Sequence, residues 1–275
     1  MDVKKMLAVG TAIIGTVAMA DIVSSSVVGY QNQDTTSSGA KMMAPTFIAV
    51  TAEKSCTLAD LSVTGYEAPV YDPDMEETEG GCLGDFVVQF LNGNGTTKAR
   101  YVWIDDDNGH KGWYTNADGG AIEGGAASVT INAGESLWTI GRGLQLVTAG
   151  QVLTQDIVFP TTAAGAVAVG NATPVDLTLN KLIVEGYNAP VYDPDMEETE
   201  GGCLGDFVVQ FLNANGTTKA RYVWIDDDNG HLGWYANADG GAIEGGASSI
   251  SLPAGQGLWV IGRGMKLRVP APELN

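Results

Sequence analysis

The chain repeats itself. Residues 65–126 align with residues 186–247 without a gap, at an offset of 121. Four of those 62 positions differ: Glu67/Asn188, Gly93/Ala214, Lys111/Leu232 and Thr115/Ala236. Copies this alike must adopt the same fold, so the chain is expected to be two units of one module. The flanks diverge but stay in register. Leu61-Ser62-Val63 matches Leu182-Ile183-Val184, Leu137-Trp138 matches Leu258-Trp259, and Gly141-Arg142-Gly143 matches Gly262-Arg263-Gly264. The modules are expected at 21–149 and 150–270, with a short tail at 271–275. Val147 to Val152 carries no Pro- or Ser-rich linker, which predicts modules packed on one another.

The periodicity inside each copy is that of strands. Phe86–Leu91 and Thr96–Ile104 flank Asn92-Gly93-Asn94-Gly95, and Asn-Gly between two β-rich runs is a strong hairpin signal. Thr97, Ala99, Tyr101 and Trp103 are expected on one face of the second strand, with Lys98, Arg100, Val102 and Ile104 on the other. Asp105–Gly109 makes the next turn, and Gly112-Trp113-Tyr114 begins another strand. Ser128–Ile131 with Leu137–Ile140, and Leu137–Gly141 with Leu144–Val147, read as further hairpins. Val27–Gln31 and Thr46–Val50 read as early strands. After residue 20 no stretch sustains a 3.6-residue period. The expected fold is all-β, with two tandem homologous β-sandwich or barrel-like modules.

The N-terminus reads differently. Lys4 and Lys5 precede an apolar or small-residue run from Met6 to Ala20, ending in Ala18-Met19-Ala20. That is the pattern of a secretory signal peptide over 1–20, and it is shorter than the ~20 apolar residues of a comfortable membrane span. The expected mature chain starts at Asp21 and is secreted, extracellular or on the cell surface. The formal net charge is −19. Cleavage removes two lysines and one aspartate, which leaves about −20. Such a field repels phosphate backbones and excludes nucleic acid as a partner. Apolar residues still make up 44% of the chain, too many for a disordered polyanion.

Val27-Val28-Gly29-Tyr30 just after the leader, with Ala133-Gly134-x-x-Leu137-Trp138 and its copy Ala254-Gly255-x-x-Leu258-Trp259, resembles a group of secreted bacterial proteins of uncharacterised function, built of duplicated β-rich modules. The resemblance implies export and a β fold. It implies no activity.

Several constellations bear on chemistry. Asp105-Asp106-Asp107-Asn108-Gly109 recurs as Asp226-Asp227-Asp228-Asn229-Gly230. Clustered carboxylates beside a glycine suit Ca²⁺, though the alternating spacing of an EF-hand is missing, and a solvated hairpin loop is the competing reading. Trp113, Tyr114 and their copies Trp234 and Tyr235 are candidates for a glycan-stacking face, against an ordinary role as core residues. They stand in a wider aromatic set that also holds Tyr101, Trp103, Trp138 and their copies. Cys56, Cys82 and Cys203 are too few for a disulfide scaffold; buried thiols, a Cys82–Cys203 bridge and an intermolecular bridge through Cys56 all stay open. His110 and His231 have no adjacent nucleophile and form no zinc set. Asn94, Asn171 and Asn215 head Asn-x-Thr triplets.

No catalytic residue stands out, and a non-enzymatic protein is expected. The leading reading is a structural or adhesive surface protein that assembles with itself, head-to-tail, into filaments or sheets. Residues 21–33 would serve as a strand added to a neighbour. The alternative is a Ca²⁺-assisted binder of extracellular polysaccharide with two equivalent sites. A polysaccharide hydrolase ranks third.

Overall fold

A computed structural model describes residues 28–48, 55–65, 86–105, 109–117, 119–120, 122–186, 207–226, 230–238, 240 and 243–272. The leader, residues 21–27, and the acidic segments 72–79 and 193–200 lie outside the described residues.

The fold is all-β. The first ten strands are β1 (Val28–Asp34), β2 (Lys41–Met43), β3 (Ser55–Thr57), β4 (Leu61–Thr64), β5 (Phe86–Leu91), β6 (Thr97–Asp105), β7 (Lys111–Thr115), β8 (Thr130–Asn132), β9 (Leu137–Ile140) and β10 (Gln145–Gln151). They form antiparallel sheets ordered β1-β10-β4, β2-β9-β5-β6-β7 and β3-β8. The next ten are β11 (Ile157–Pro160), β12 (Val167–Gly170), β13 (Leu177–Thr178), β14 (Ile183–Glu185), β15 (Phe207–Leu212), β16 (Thr218–Asp226), β17 (Leu232–Ala236), β18 (Ser251–Leu252), β19 (Gly257–Ile261) and β20 (Lys266–Val269). Their sheets repeat the same orders: β11-β20-β14, β12-β19-β15-β16-β17 and β13-β18. The change from one set to the other falls in residues 152–156. Among the described residues the helical content is confined to 3-10 turns such as Leu58–Asp60 and Leu179–Lys181.

The β5–β6 hairpin forms where the Asn-Gly signal lies. Asn92 N–H donates to Thr96 O at 2.8 Å, and Gly95 N–H donates to Asn92 O at 2.8 Å. Asn94 Oδ1 accepts from Thr96 N–H at 3.1 Å and from its hydroxyl at 2.6 Å, so the asparagine side chain stands in for a missing ladder partner. Phe86, Val88 and Phe90 of β5 face inward and meet Leu61 and Val63 of β4 and Leu146 of β10, which makes a two-layer core. Burying each such side chain contributes roughly 1.5–3 kcal/mol. Val87, Val102 and Ile104, on the opposite face of the same sheet, are also fully buried.

Three expectations about strands are corrected. Of the expected strand Thr46–Val50 only 46–48 are described, and there Ile48 makes an isolated bridge to Gln151; the described strand in this region is β2, over Lys41–Met43. Residues 128–140 do not form a hairpin, because β8 pairs with β3 and β9 with β2 and β5. Nor do β9 and β10 pair with each other. Gly141-Arg142-Gly143, with Arg142 at φ 51° and Gly143 at φ 87°, carries the chain from one layer to the other. Over residues 28–33 the expected strand donor is already engaged, since β1 pairs with β10 along its whole length.

The two halves meet through reciprocal contacts. β2 and β12 hold the same slot, Met42 opposite Trp138 and Ala168 opposite Trp259. Ala44 N–H donates to Gly255 O at 2.9 Å, and Gly170 N–H donates to Gly134 O at 2.9 Å. Ala40 N–H donates to Ala214 O at 2.9 Å, and Ala166 N–H donates to Gly93 O at 2.8 Å. Single bridges join Met43 to Gln256 and Val169 to Glu135. Each contact occurs twice with the halves exchanged, so the halves are related by an approximate two-fold axis. The apolar core runs across the junction as one cluster. This contact is isologous and closes on itself. The expected head-to-tail contact, which would repeat between chains, is not how these halves pack.

Candidate functional site

The docking of the halves creates a cleft on the two-fold axis, with a volume of about 360 Å³. Gln89, Leu91, Asn94, Gly95, Thr97 and Trp138 line it from one side, and Gln210, Leu212, Asn215, Gly216, Thr218 and Trp259 from the other. The second set is the first set moved by 121 residues, so both walls are the same surface.

Strand alternation explains the lining. Gln89 and Leu91 point away from the sandwich core because Phe86, Val88 and Phe90 point into it. Trp138 lies opposite Gln89 in the β5–β9 ladder, and Leu137 and Thr139 on either side of it are fully buried. Both Trp138 and Trp259 are half-buried and line the cleft. The hairpin turns supply Asn94, Gly95 and their copies at the rim. A methyl group placed on Gly216 would stand 3.9 Å from Trp138 Cζ2, so the tryptophan of one half rests against the turn of the other.

None of the twelve described lining residues is ionisable. In a chain of net charge −19 that is a marked local departure. The cleft offers two tryptophan rings, two carboxamides from glutamine, two from asparagine and two threonine hydroxyls. The glutamines and threonines can both donate and accept, while Asn94 and Asn215 hold their own turns through Oδ1 and have their amide N–H groups left to donate.

The residues singled out from the sequence lie elsewhere. Trp113 and Trp234 are core residues, 4% and 2% exposed, packed edge-on against Phe86 and Phe207. Trp113 Nε1–H donates to Leu61 O at 3.2 Å, which ties β7 to β4. Their ring faces are covered by protein and offer no stacking surface. Tyr114 and Tyr235 are half-buried and meet His110 and His231 edge-on at 5.5 and 5.4 Å. Of the acidic loops, Asp106, Asp107, Asp227 and Asp228 lie outside the described residues. Asp105 is held by Lys111 Nζ at 2.6 Å, and position 232, a leucine, cannot repeat that ion pair beside Asp226. Among the described residues no group of three or more His, Cys, Asp or Glu is placed to hold a metal ion.

Cys56 is a free thiol, buried on β3 beside β8. Burial, with Asp60 nearby, pushes its pKa up to about 12. A thiol so rarely ionised is inert, which speaks against a ready intermolecular bridge through it. Cys82 and Cys203 lie outside the described residues. Asn171 is fully buried; its amide donates to Val175 O and Leu252 O at 2.8 and 3.0 Å and cannot accept a glycan in the folded chain.

A wider groove of about 670 Å³ lies between β4 and β7, with Trp103, Asp105 and Lys111 on its wall. The Lys111/Leu232 difference changes the chemistry of the corresponding place in the second half.

Trp138 and Trp259 were visible in the sequence as part of the aromatic set. Their inward-facing neighbours Leu137 and Leu258 were the signal that marks them as pointing outward. Comparison with protein-family models, with curated proteins and with solved structures finds no match to this chain.

Proposed function

We propose that the chain is a non-enzymatic, exported carbohydrate-binding protein, and that the cleft on the two-fold axis is its site. The observation that carries this reading is the pair of half-exposed tryptophans set among uncharged amides and hydroxyls in an otherwise acidic protein. A sugar ring has an apolar C–H face that suits an indole, and a rim of hydroxyls that both donate and accept, which suits carboxamides. A lining without ions favours a neutral glycan over a uronic acid or a phosphorylated ligand. Adhesion to a polysaccharide matrix follows from such binding, and the expected leader peptide supports export.

The test is affinity electrophoresis through gels containing neutral polysaccharides (cellulose derivatives, xylan, mannan, β-glucan). Retardation by at least one of them, lost in the Trp138→Ala/Trp259→Ala variant, is expected. Migration unchanged in every gel, or retardation that survives the double substitution, overturns the reading.

Self-assembly has one feature in its favour. β1 is an edge strand, and it exposes Val28 and Tyr30 at 69% and 73%. Light scattering of the mature protein tests it, with large ordered particles as the supporting result.

A further inference from the structure

We infer that the duplication builds one shared site rather than two, and that this site takes a single oligosaccharide of at least two sugar rings laid across the two-fold axis. The inference rests on the carbohydrate reading and goes beyond it in stoichiometry and ligand size.

The cleft belongs to neither half alone. Each half contributes one tryptophan, one glutamine and one hairpin turn, and Trp138 leans on the turn at Gly216 of the opposite half. A single sugar ring has one set of hydroxyls to share between two equal walls, each with its own tryptophan and glutamine, whereas two or more linked rings bring a ring and a set of hydroxyls to each wall. The volume, about 360 Å³, lies in the lower part of the ~300–1,000 Å³ range of small-molecule sites, so the cleft holds one short glycan segment and has no room for two such oligosaccharides. A linear glycan has a direction and the cleft does not. The ligand therefore enters in either of two equivalent orientations, and one occupant excludes a second.

Isothermal titration with cello-, xylo- and manno-oligosaccharides of one to six residues, on the full-length mature protein, decides this. The expected result is one ligand per chain, with the monosaccharide at least about tenfold weaker than the dimer or trimer. Trp138→Ala and Trp259→Ala should each weaken that single site by about five- to tenfold, the loss of one aromatic contact. Trp138→Phe should recover part of it and guards against a folding defect. Two ligands per chain overturns the inference, as does a variant that loses one of two sites and leaves the other with its original affinity. So does a single substitution with no effect. Failure of the unsubstituted protein to bind any of these sugars, or any neutral polysaccharide, overturns the carbohydrate reading itself.

Discussion

Gly134→Ala tests the packing of the two halves. Gly134 has φ +73°, and a Cβ at this position would stand 2.1 Å from Phe159 Cζ and about 3 Å from both Cε atoms. Phe159, on β11, is on the other side of the junction, and its counterpart Gln33 on β1 covers Gly255 in the same way. Two costs add. The left-handed backbone costs an L-residue roughly 1–2 kcal/mol. Displacing the ring costs about 1–3 kcal/mol by analogy with overpacked cores. The reduced entropy of the unfolded chain offsets about 0.4–1 kcal/mol. The net destabilisation is about 1–4.6 kcal/mol. Gly95→Ala is the control, because Gly95 has φ +83° and, among the described residues, no atom within 4 Å of its would-be Cβ. It bears the backbone cost alone, so the difference between the variants, about 1–3 kcal/mol, reports the contact across the junction. Urea unfolding followed by tryptophan fluorescence measures both, through the midpoint at constant slope. In the Gly134→Ala/Phe159→Ala cycle the two substitutions should couple by the same amount. Equal midpoints for Gly134→Ala and Gly95→Ala, or a coupling within ~0.5 kcal/mol of zero, would refute the two-fold packing.

Other consequences follow from single residues. Trp113→Phe should destabilise by about 1 kcal/mol more than Trp234→Phe in urea unfolding, because Trp113 Nε1–H has an acceptor in Leu61 O while the buried Trp234 Nε1 has none among the described residues. The Cys56 thiol holds its proton in the folded state to about pH 12, against 9.0 for an ordinary solvated thiol. Between those values the unfolded chain binds fewer protons than the folded one, so stability is full below pH 9 and falls as pH rises, by about 1.4 kcal/mol per pH unit. Cys56→Ala should remove that part of the alkaline slope, read as the difference between the two unfolding profiles. Lys111→Leu, which copies the second half, should change stability by less than ~1 kcal/mol, because the Lys111–Asp105 pair is exposed; a larger loss in thermal unfolding would show that the pair matters more than its setting suggests.

Much of the fold could be read from the sequence where the signal was local. The β5–β6 hairpin sits on its Asn-Gly turn, and the gapless repeat at offset 121 reappears as one strand order used twice. Signals of the same kind misled where the chain changes layer. Gly141-Arg142-Gly143 has the composition of a hairpin turn, yet it is a corner, since β10 finds its partners in β1 and β4. β2 was invisible because Lys41-Met42-Met43 is too short to show alternation and is fixed by its place beside β9. The site was hidden for a different reason. Trp113 and Trp138 look alike along the chain, but Trp113 shares a face with the core contact to Phe86, whereas Trp138 alternates with buried Leu137 and Thr139. Nothing local tells which like surfaces of two copies will meet, and the cleft exists only because they meet about a two-fold axis.

That axis is tested most directly by amide hydrogen exchange at Ala40, Ala44, Ala166 and Gly170, four donors that bridge the halves in matched pairs. Docked halves predict protection in matched pairs, Ala40 like Ala166 and Ala44 like Gly170, at rates close to those of the neighbouring ladder amides. Exchange of these four amides at the rate of exposed loops, while β5 and β15 stay protected, would mean that the halves do not pack in this way and that the shared cleft does not form.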